Sequence, residues 1–212
     1  MPRLLFYQKM NNEIQRIISG ESQVRFETNI KTAINHLRIC EKSSSLDKTD
    51  KHFKREETER LKQYVNSQNL WIRDIDLNNY VSEGAEQKVY LKNNKSVIKL
   101  NDAIYYLSWI DYFVNLLLNN YFFPDTAYKL LGFFENESVL YAVVEQRFIN
   151  ATEKTNLDHV EQFMRANGFQ KIRNNDYFNS ELGIILEDLH DENVLTRNGI
   201  LFFIDTVFYL KT

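Results

Sequence analysis

Cys40 is the only cysteine in 212 residues. The chain therefore cannot close an internal disulfide or build a thiolate zinc site, and a reducing compartment is expected. Proline (two) and glycine (six) are also scarce, so few positions forbid regular backbone and those few mark boundaries. No sign of charge dominates: 26 Lys and Arg stand against 29 Asp and Glu, a formal net charge of −3. Such a balance gives no general attraction to nucleic acid or an anionic membrane, and neither is expected as a partner. A long hydrophobic run is missing too. The nearest approach, Ile104 to Phe123, contains Ser108, Asp111, Asn115, Asn119 and Asn120, which are costly in hydrocarbon and point to a buried helix. The N-terminus has no continuous apolar region and no small-residue cleavage site, so a cytoplasmic protein without a signal peptide is expected. There is no repeat, no Walker loop and no Gly-x-Ser-x-Gly elbow. His36, His52 and His159 lack metal-ligand spacing, and Cys40 has no nucleophile context.

Apolar and aromatic residues are plentiful: 43% of the chain is hydrophobic and 14% aromatic, which excludes a disordered polymer. The first 70 or so residues read as helical, with Ile14, Ile17 and Ile18 on one face and Ile30, Ala33, Ile34 and Leu37 on another. A polar stretch near 41–53 reads as a linker, and a charged helix is expected from about Lys54 to Gln68. The Lys48, Lys51, Lys54 and Arg55 cluster alternates with acids and reads as a solvated face.

Beyond Trp71 the pattern changes. Segments 88–91, 96–100, 129–134 and 139–144 are short and rich in β-branched or aromatic residues, separated by residues such as Asn93-Asn94, Asn136 and Gly132. A helix is expected at about 102–120. Another is expected from Thr155, as N-cap, to Asn167, closed by Gly168. Asn198-Gly199 predicts a hairpin between Val194-Leu195 and residues 200–204. This is an α+β plan: an antiparallel sheet with one inserted helix, similar to a kinase small lobe.

The chemistry is concentrated in Ile185-Leu186-Glu187-Asp188-Leu189-His190-Asp191-Glu192-Asn193-Val194-Leu195, followed by Phe203-Ile204-Asp205. Asp188 and Asn193 are five apart, and Asp205 lies twelve beyond Asn193 across the hairpin. This spacing resembles the protein-kinase-like catalytic loop and its metal-binding Asp. The resemblance implies ATP and Mg²⁺ as cofactors. Asp188 would orient or deprotonate the acceptor hydroxyl, while Asn193 and Asp205 would bind the metal. His190 gives the Asp-Leu-His-x-x-Asn form common in small-molecule phosphotransferases, and it would brace the loop from behind. Gly84 would belong to a phosphate-covering loop, and Lys99, in Val97-Ile98-Lys99-Leu100, would hold the α/β phosphates. Glu145, Gln146 and Arg147 would fall at the hinge that meets adenine.

The combination of Gly84-x-Glu86-x-x-Val89-Tyr90, Val97-Ile98-Lys99-Leu100, Asn119 to Tyr128, Gly132-Phe133, Val144-Glu145-Gln146 and Asp188 to Leu195 narrows the resemblance. It looks like the Ser/Thr/Tyr kinase-like domain of polyvalent proteins from bacterial phages and mobile elements. The fold so implied is a minimal protein-kinase-like one: a kinase-like domain over 56–212, with a small lobe at about 71–145 and a reduced large lobe at about 146–212. An N-terminal helical extension over 1–55 would precede it.

Departures from the kinase pattern bear on function. Leu186-Glu187 replaces the His-Arg that usually precedes the catalytic Asp, and Thr206-Val207 replaces Phe-Gly after Asp205. The 102–120 segment has no Glu to pair with Lys99, leaving Asp102, Asp111 or Glu86 as alternatives. Only seven residues follow Asp205, so an activation segment and peptide platform are expected to be missing. The readings are an ATP/Mg-dependent phosphotransferase acting on a protein or small-molecule hydroxyl, or an inactive kinase-like nucleotide-binding or protein-interaction module.

Overall fold

The computed structural model describes residues 2–21, 24–41, 50–84 and 87–211. Glu86 and most of the polar linker lie outside the described residues, as do the side chains of Cys40 and His52. Five α-helices are described: α1 (Pro2–Ser19), α2 (Glu27–Glu41), α3 (Asp50–Ser67), α4 (Trp109–Phe122) and α5 (Leu157–Ala166). The strands are β1 (Tyr80–Glu83), β2 (Gln87–Asn93), β3 (Ser96–Asn101), β4 (Lys129–Asn136), β5 (Val139–Arg147), β6 (Gln170–Lys171), β7 (Tyr177–Asn179), β8 (Ile184–Glu187), β9 (Val194–Arg197), β10 (Ile200–Phe203) and β11 (Val207–Leu210). Every ladder pairing is antiparallel. The class is therefore mixed helix and antiparallel sheet. No described helix is long and apolar enough to cross a membrane.

The chain divides into two compact units. One comprises 23–117 and 127–148; the other comprises 1–22, 118–126 and 149–212. The first is built on a five-stranded sheet of order β1-β2-β3-β5-β4. Strand residues alternate between faces, so Ile98 and Leu100 share one face of β3. There they join Tyr90 and Val143 in a core cluster against Ile72, Ile75, Leu131, Phe134 and Tyr141. On β4, Phe133 meets Trp109 and Phe113 of α4, at ring-centroid distances of 6.5 and 6.3 Å.

Helix α4 is apolar on most sides, as its sequence suggests, and Tyr112, Phe113, Leu116, Leu117 and Leu118 are buried. Its start corrects the expected one. Residues 102–108 are not helical, and α4 begins at Trp109. The cause lies on α3. Buried Glu57 accepts hydrogen bonds from the Trp109 and Ile110 N–H groups, at 2.6 and 3.2 Å, and Ser108 Oγ accepts from Asp111 N at 3.0 Å. These acceptors satisfy the orphan N–H groups of a first turn and place negative charge at the positive helix end. Lys54, one turn earlier on α3, donates to the Ala103 and Tyr106 carbonyls, and Thr58 Oγ1 accepts from Trp109 Nε1 at 2.9 Å.

The second unit contains a four-stranded sheet, β11-β8-β7-β6, and the β9–β10 hairpin. The tip of that hairpin is Asn198 (φ 52°) and Gly199 (φ 74°), as its Asn-Gly pair predicts. Their N–H groups are held by Thr152 Oγ1 and Glu153 Oε1, both at 2.8 Å. Helix α5 ends at left-handed Gly168 (φ 84°) as expected. Its N-cap is Asn156, whose side chain accepts from Asp158 N at 2.8 Å. Thr155, the expected cap, is buried instead and shares a 2.9 Å hydrogen bond with the Thr196 hydroxyl.

Candidate functional site

In the second unit the decisive local event is the end of β8. Ile184 and Leu186 are buried, Glu187 is the last ladder residue opposite Val207, and Asp188 then turns into the left-handed region at φ 64°. Asp is one of the few residues that tolerate this conformation. Both backbone groups of Asp188 are held. Its N–H donates to Asp176 Oδ1 at 3.2 Å, and its carbonyl accepts from Asn193 Nδ2 at 3.0 Å. Leu189, fully buried, anchors the loop, and its N–H donates to the Asn175 carbonyl at 3.2 Å. The Asp188 side chain is exposed and makes no hydrogen bond or ion pair to a described residue.

Asn193 and Asp205 lie at the open end of the β9–β10 hairpin. Phe203 pairs with Val194, and Ile204 N donates to the Asn193 carbonyl at 2.9 Å. The Asn193 amide nitrogen is also 3.1 Å from His190 Nε2. With that nitrogen engaged by Asp188 and His190, the amide oxygen is the side-chain atom left to accept a hydrogen bond or to ligate a cation. His190 Nδ1 lies 3.3 Å from Glu192 N. A neutral imidazole accepts at one nitrogen only, and the shorter contact favours Nε2. His190 Nε2 thus stands as the acceptor beside the Asn193 amide nitrogen. Asp205 is half-buried in the bend between β10 and β11. Behind it, Phe203 stacks on Phe123 with ring centroids 4.2 Å apart.

In the first unit, Lys99 is central on β3, paired with Val89 and Val144. A lone strand lysine is ordinarily solvated, yet Lys99 is only 3% exposed. Its Nζ lies 3.5 Å from Tyr128 Oη and 5.3 Å from that ring's centre. The ring face offers a cation–π contact that offsets part of the cost of burying the ammonium. Gly84 is exposed between β1 and β2, and its N–H donates to the Gln87 carbonyl at 3.0 Å. Glu145, Gln146 and Arg147 are ladder residues at the end of β5, opposite Ile98, Val97 and Ser96. Gln146 is buried, whereas Glu145 pairs with Lys92 at 3.0 Å. Burial raises the Glu145 pKa, but hydrogen bonds from Ser96 and Lys92 and the charges of Lys92 and Lys129 outweigh it, so the net shift is downward.

Of the acids considered for Lys99, Asp102 and Asp111 act with Glu57 on Lys54. Burial lowers the Lys54 pKa, and those three charges oppose the shift. Among the described residues, no group of three or more His, Cys, Asp or Glu could hold a metal.

The sequence reading missed Glu57 and Asp176. Neither stands in a motif or a periodic pattern, and Asn174-Asn175-Asp176 reads only as a loop.

Residues 54–212, three quarters of the chain, match the model of a family described as Serine/Threonine/Tyrosine Kinase found in polyvalent proteins. The chain belongs to this kinase family. No curated protein and no solved structure matches it. The kinase match begins inside α3 and takes in Lys99, the 188–193 loop and Asp205, whereas α1 and α2 precede it.

The kinase loop has an unusual neighbour in Glu187, which stands where an arginine is common. Burial raises its pKa, and repulsion from Asp176 and Asp188 adds to the rise, while Arg173 opposes it. A carboxyl with a raised folded pKa contributes most stability below its unfolded value. That contribution is lost as pH climbs through the folded pKa. Glu187→Gln is therefore expected to raise Tm at pH 7 by about 1 °C or more. The gain should vanish in acid, where both side chains are neutral. Melting curves across pH 3–8 check it; a lower Tm at pH 7 would show that the 3.6 Å contact with Arg173 dominates.

Proposed function

We propose that this kinase-family chain is an ATP- and Mg²⁺-dependent phosphotransferase acting on a hydroxyl acceptor. The observation that carries the reading is the clamped left-handed Asp188, whose exposed carboxylate has no described partner. A carboxylate held by its backbone and free at its side chain suits a group that takes a proton from an incoming hydroxyl. The acceptor oxygen forms a bond to the γ-phosphorus as the bond from that phosphorus to the ADP oxygen breaks. The acceptor proton goes to Asp188. Lys99 is assigned to the α/β phosphates, with Gly84 in the covering loop and residues 145–147 at the adenine end.

The donor set fits Mg²⁺. Asn193 Oδ1 and the Asp205 carboxylate are hard oxygens, and this ion commonly takes one or two protein ligands and completes its shell with phosphate oxygens and water. When bound, Mg²⁺ would supply neutralisation of phosphate charge. His190 keeps the Asn193 amide oriented. The rival reading is an inactive kinase-like module that binds nucleotide or a protein partner.

Calorimetry of ATP binding with and without Mg²⁺, followed by phosphate transfer to hydroxyl acceptors, tests the proposal. Mg-dependent binding with turnover is the expected result. No ATP binding would sink it, and binding without turnover would favour the inactive module.

A further inference from the structure

Asp176 lies in the turn between β6 and β7 and is 7% exposed. A buried carboxylate needs partners, and this one has two of different kinds. Oδ2 accepts from Arg173 Nε at 3.1 Å, three residues back, while Oδ1 accepts from the N–H of Asp188 at 3.2 Å, twelve residues on. The first closes the local turn, together with Asp176 N to the Arg173 carbonyl at 2.8 Å and Ile172 N to the Asp176 carbonyl at 3.0 Å. The second contact is not explained by that turn.

We infer that Asp176 is a positioning residue, whose carboxylate fixes the backbone of Asp188 so that the Asp188 side chain faces outward for phosphotransfer. This inference rests on the phosphotransferase reading above.

The physical need arises where β8 ends. Once Asp188 leaves the ladder, its N–H loses a strand partner, and an N–H so placed must find another acceptor. An ionised carboxylate is a stronger acceptor than a neutral carbonyl. Asn193 holds the other side, through the Asp188 carbonyl. With N–H and C=O both tied, φ and ψ of Asp188 are set together, and its Cα–Cβ direction follows. Asn175 repeats the grip one residue later through Leu189 N. The 173–176 turn thus forms the rear support of the loop. Arg173 also reaches Glu187 Oε1 at 3.6 Å, which places positive charge among three neighbouring carboxylates.

The test compares Asp176→Ala with Asp176→Asn, which keeps an acceptor oxygen but loses the charge. A misplacement of about 1 Å can cost on the order of 10²-fold in rate. Asp176→Ala is accordingly expected to lower kcat at least about tenfold while ATP affinity with Mg²⁺ stays near wild type. Asp176→Asn should recover most of that loss. Amide hydrogen exchange by NMR gives a readout independent of turnover. Exchange at Asp188 should accelerate in Asp176→Ala, while Ile185 and Leu186 in β8 keep their protection. Unchanged exchange at Asp188 would overturn the inference. So would equal losses in both variants accompanied by exposure of β8, which would make Asp176 a purely structural residue. If Asp176→Ala does not fold, Asp176→Leu takes its place, filling the same buried space with no acceptor for the Asp188 N–H: a lowered kcat with faster exchange at Asp188 supports the clamp, and wild-type exchange at Asp188 overturns it. Absence of phosphate transfer by the wild-type protein would sink the phosphotransferase reading. A wild-type kcat with slow Asp188 exchange in Asp176→Ala would sink the clamp alone.

Discussion

Asp188→Asn is expected to lower phosphate transfer by about 10²- to 10⁴-fold, the range contributed by a positioned general base, with ATP affinity in the presence of Mg²⁺ close to wild type. Asn is the informative replacement because of the local backbone. Position 188 sits at φ 64°, and Asn tolerates that region almost as well as Asp, whereas Ala would add strain of roughly 1 kcal/mol. The wild-type carboxylate makes no hydrogen bond or ion pair to a described residue, so its neutralisation leaves no buried partner unsatisfied. Loss of rate therefore reports chemistry, not folding. Asp205→Asn should behave differently, weakening Mg-dependent nucleotide binding as well as turnover, because one anionic ligand is lost. Calorimetry and single-turnover rates on the two variants make the comparison. Equal turnover by Asp188→Asn and wild type would remove Asp188 from the mechanism.

The largest effect on stability is expected at Gly132. Although it reads as punctuation, Gly132 lies inside β4, beside a register shift between Leu130 and Gly132. The segment before the sheet lies against it: Phe133 N donates to the Leu70 carbonyl at 2.9 Å, and Ile72 N donates to the Phe133 carbonyl at 2.8 Å. A Cβ at Gly132 would overlap the Leu70 carbonyl oxygen far inside van der Waals contact and would press on the Ile72 side chain at 3.1 and 3.3 Å. A backbone oxygen cannot swing away as a side chain can. Gly132→Ala must therefore displace the 70–72 segment or the strand, with loss of both hydrogen bonds. The expected cost is about 3 kcal/mol or more, beyond the usual range for overpacking because two backbone hydrogen bonds are lost as well. For a chain of this size that is roughly 6–12 °C in Tm. Gly84→Ala is the control, since among the described residues nothing beyond its chain neighbours lies within 4 Å of an added Cβ there. Similar melting of the two variants would show that the 70–72 segment yields freely.

Much of the site's order was legible locally. The 188–193–205 spacing, the Asn198-Gly199 tip and the alternating strands around Lys99 depend on residues close in sequence, and the structure forms the corresponding loop, hairpin and sheet. Other features depend on partners far away. Residues 102–108 carry helix-compatible residues, yet α4 starts at Trp109 because Glu57, more than fifty residues earlier, supplies the cap. Thr155 reads as a cap, but Thr196 takes its hydroxyl. Strands β6, β7, β8 and β11, two to four residues each, are too short for a periodic signal and exist because each finds an antiparallel neighbour.

Lys99 and Asp176 mark the division most clearly. The sequence by itself determined which residue types stand at the motif positions and the intervals between them, because turn chemistry and strand alternation are short-range. It also carried the family, through several motifs in a fixed order. Only the tertiary structure decided that Lys99 is buried against Tyr128 and that the Asp176 carboxylate holds the Asp188 N–H. Burial and long-range hydrogen bonding depend on which strands become neighbours, and no local pattern encodes that.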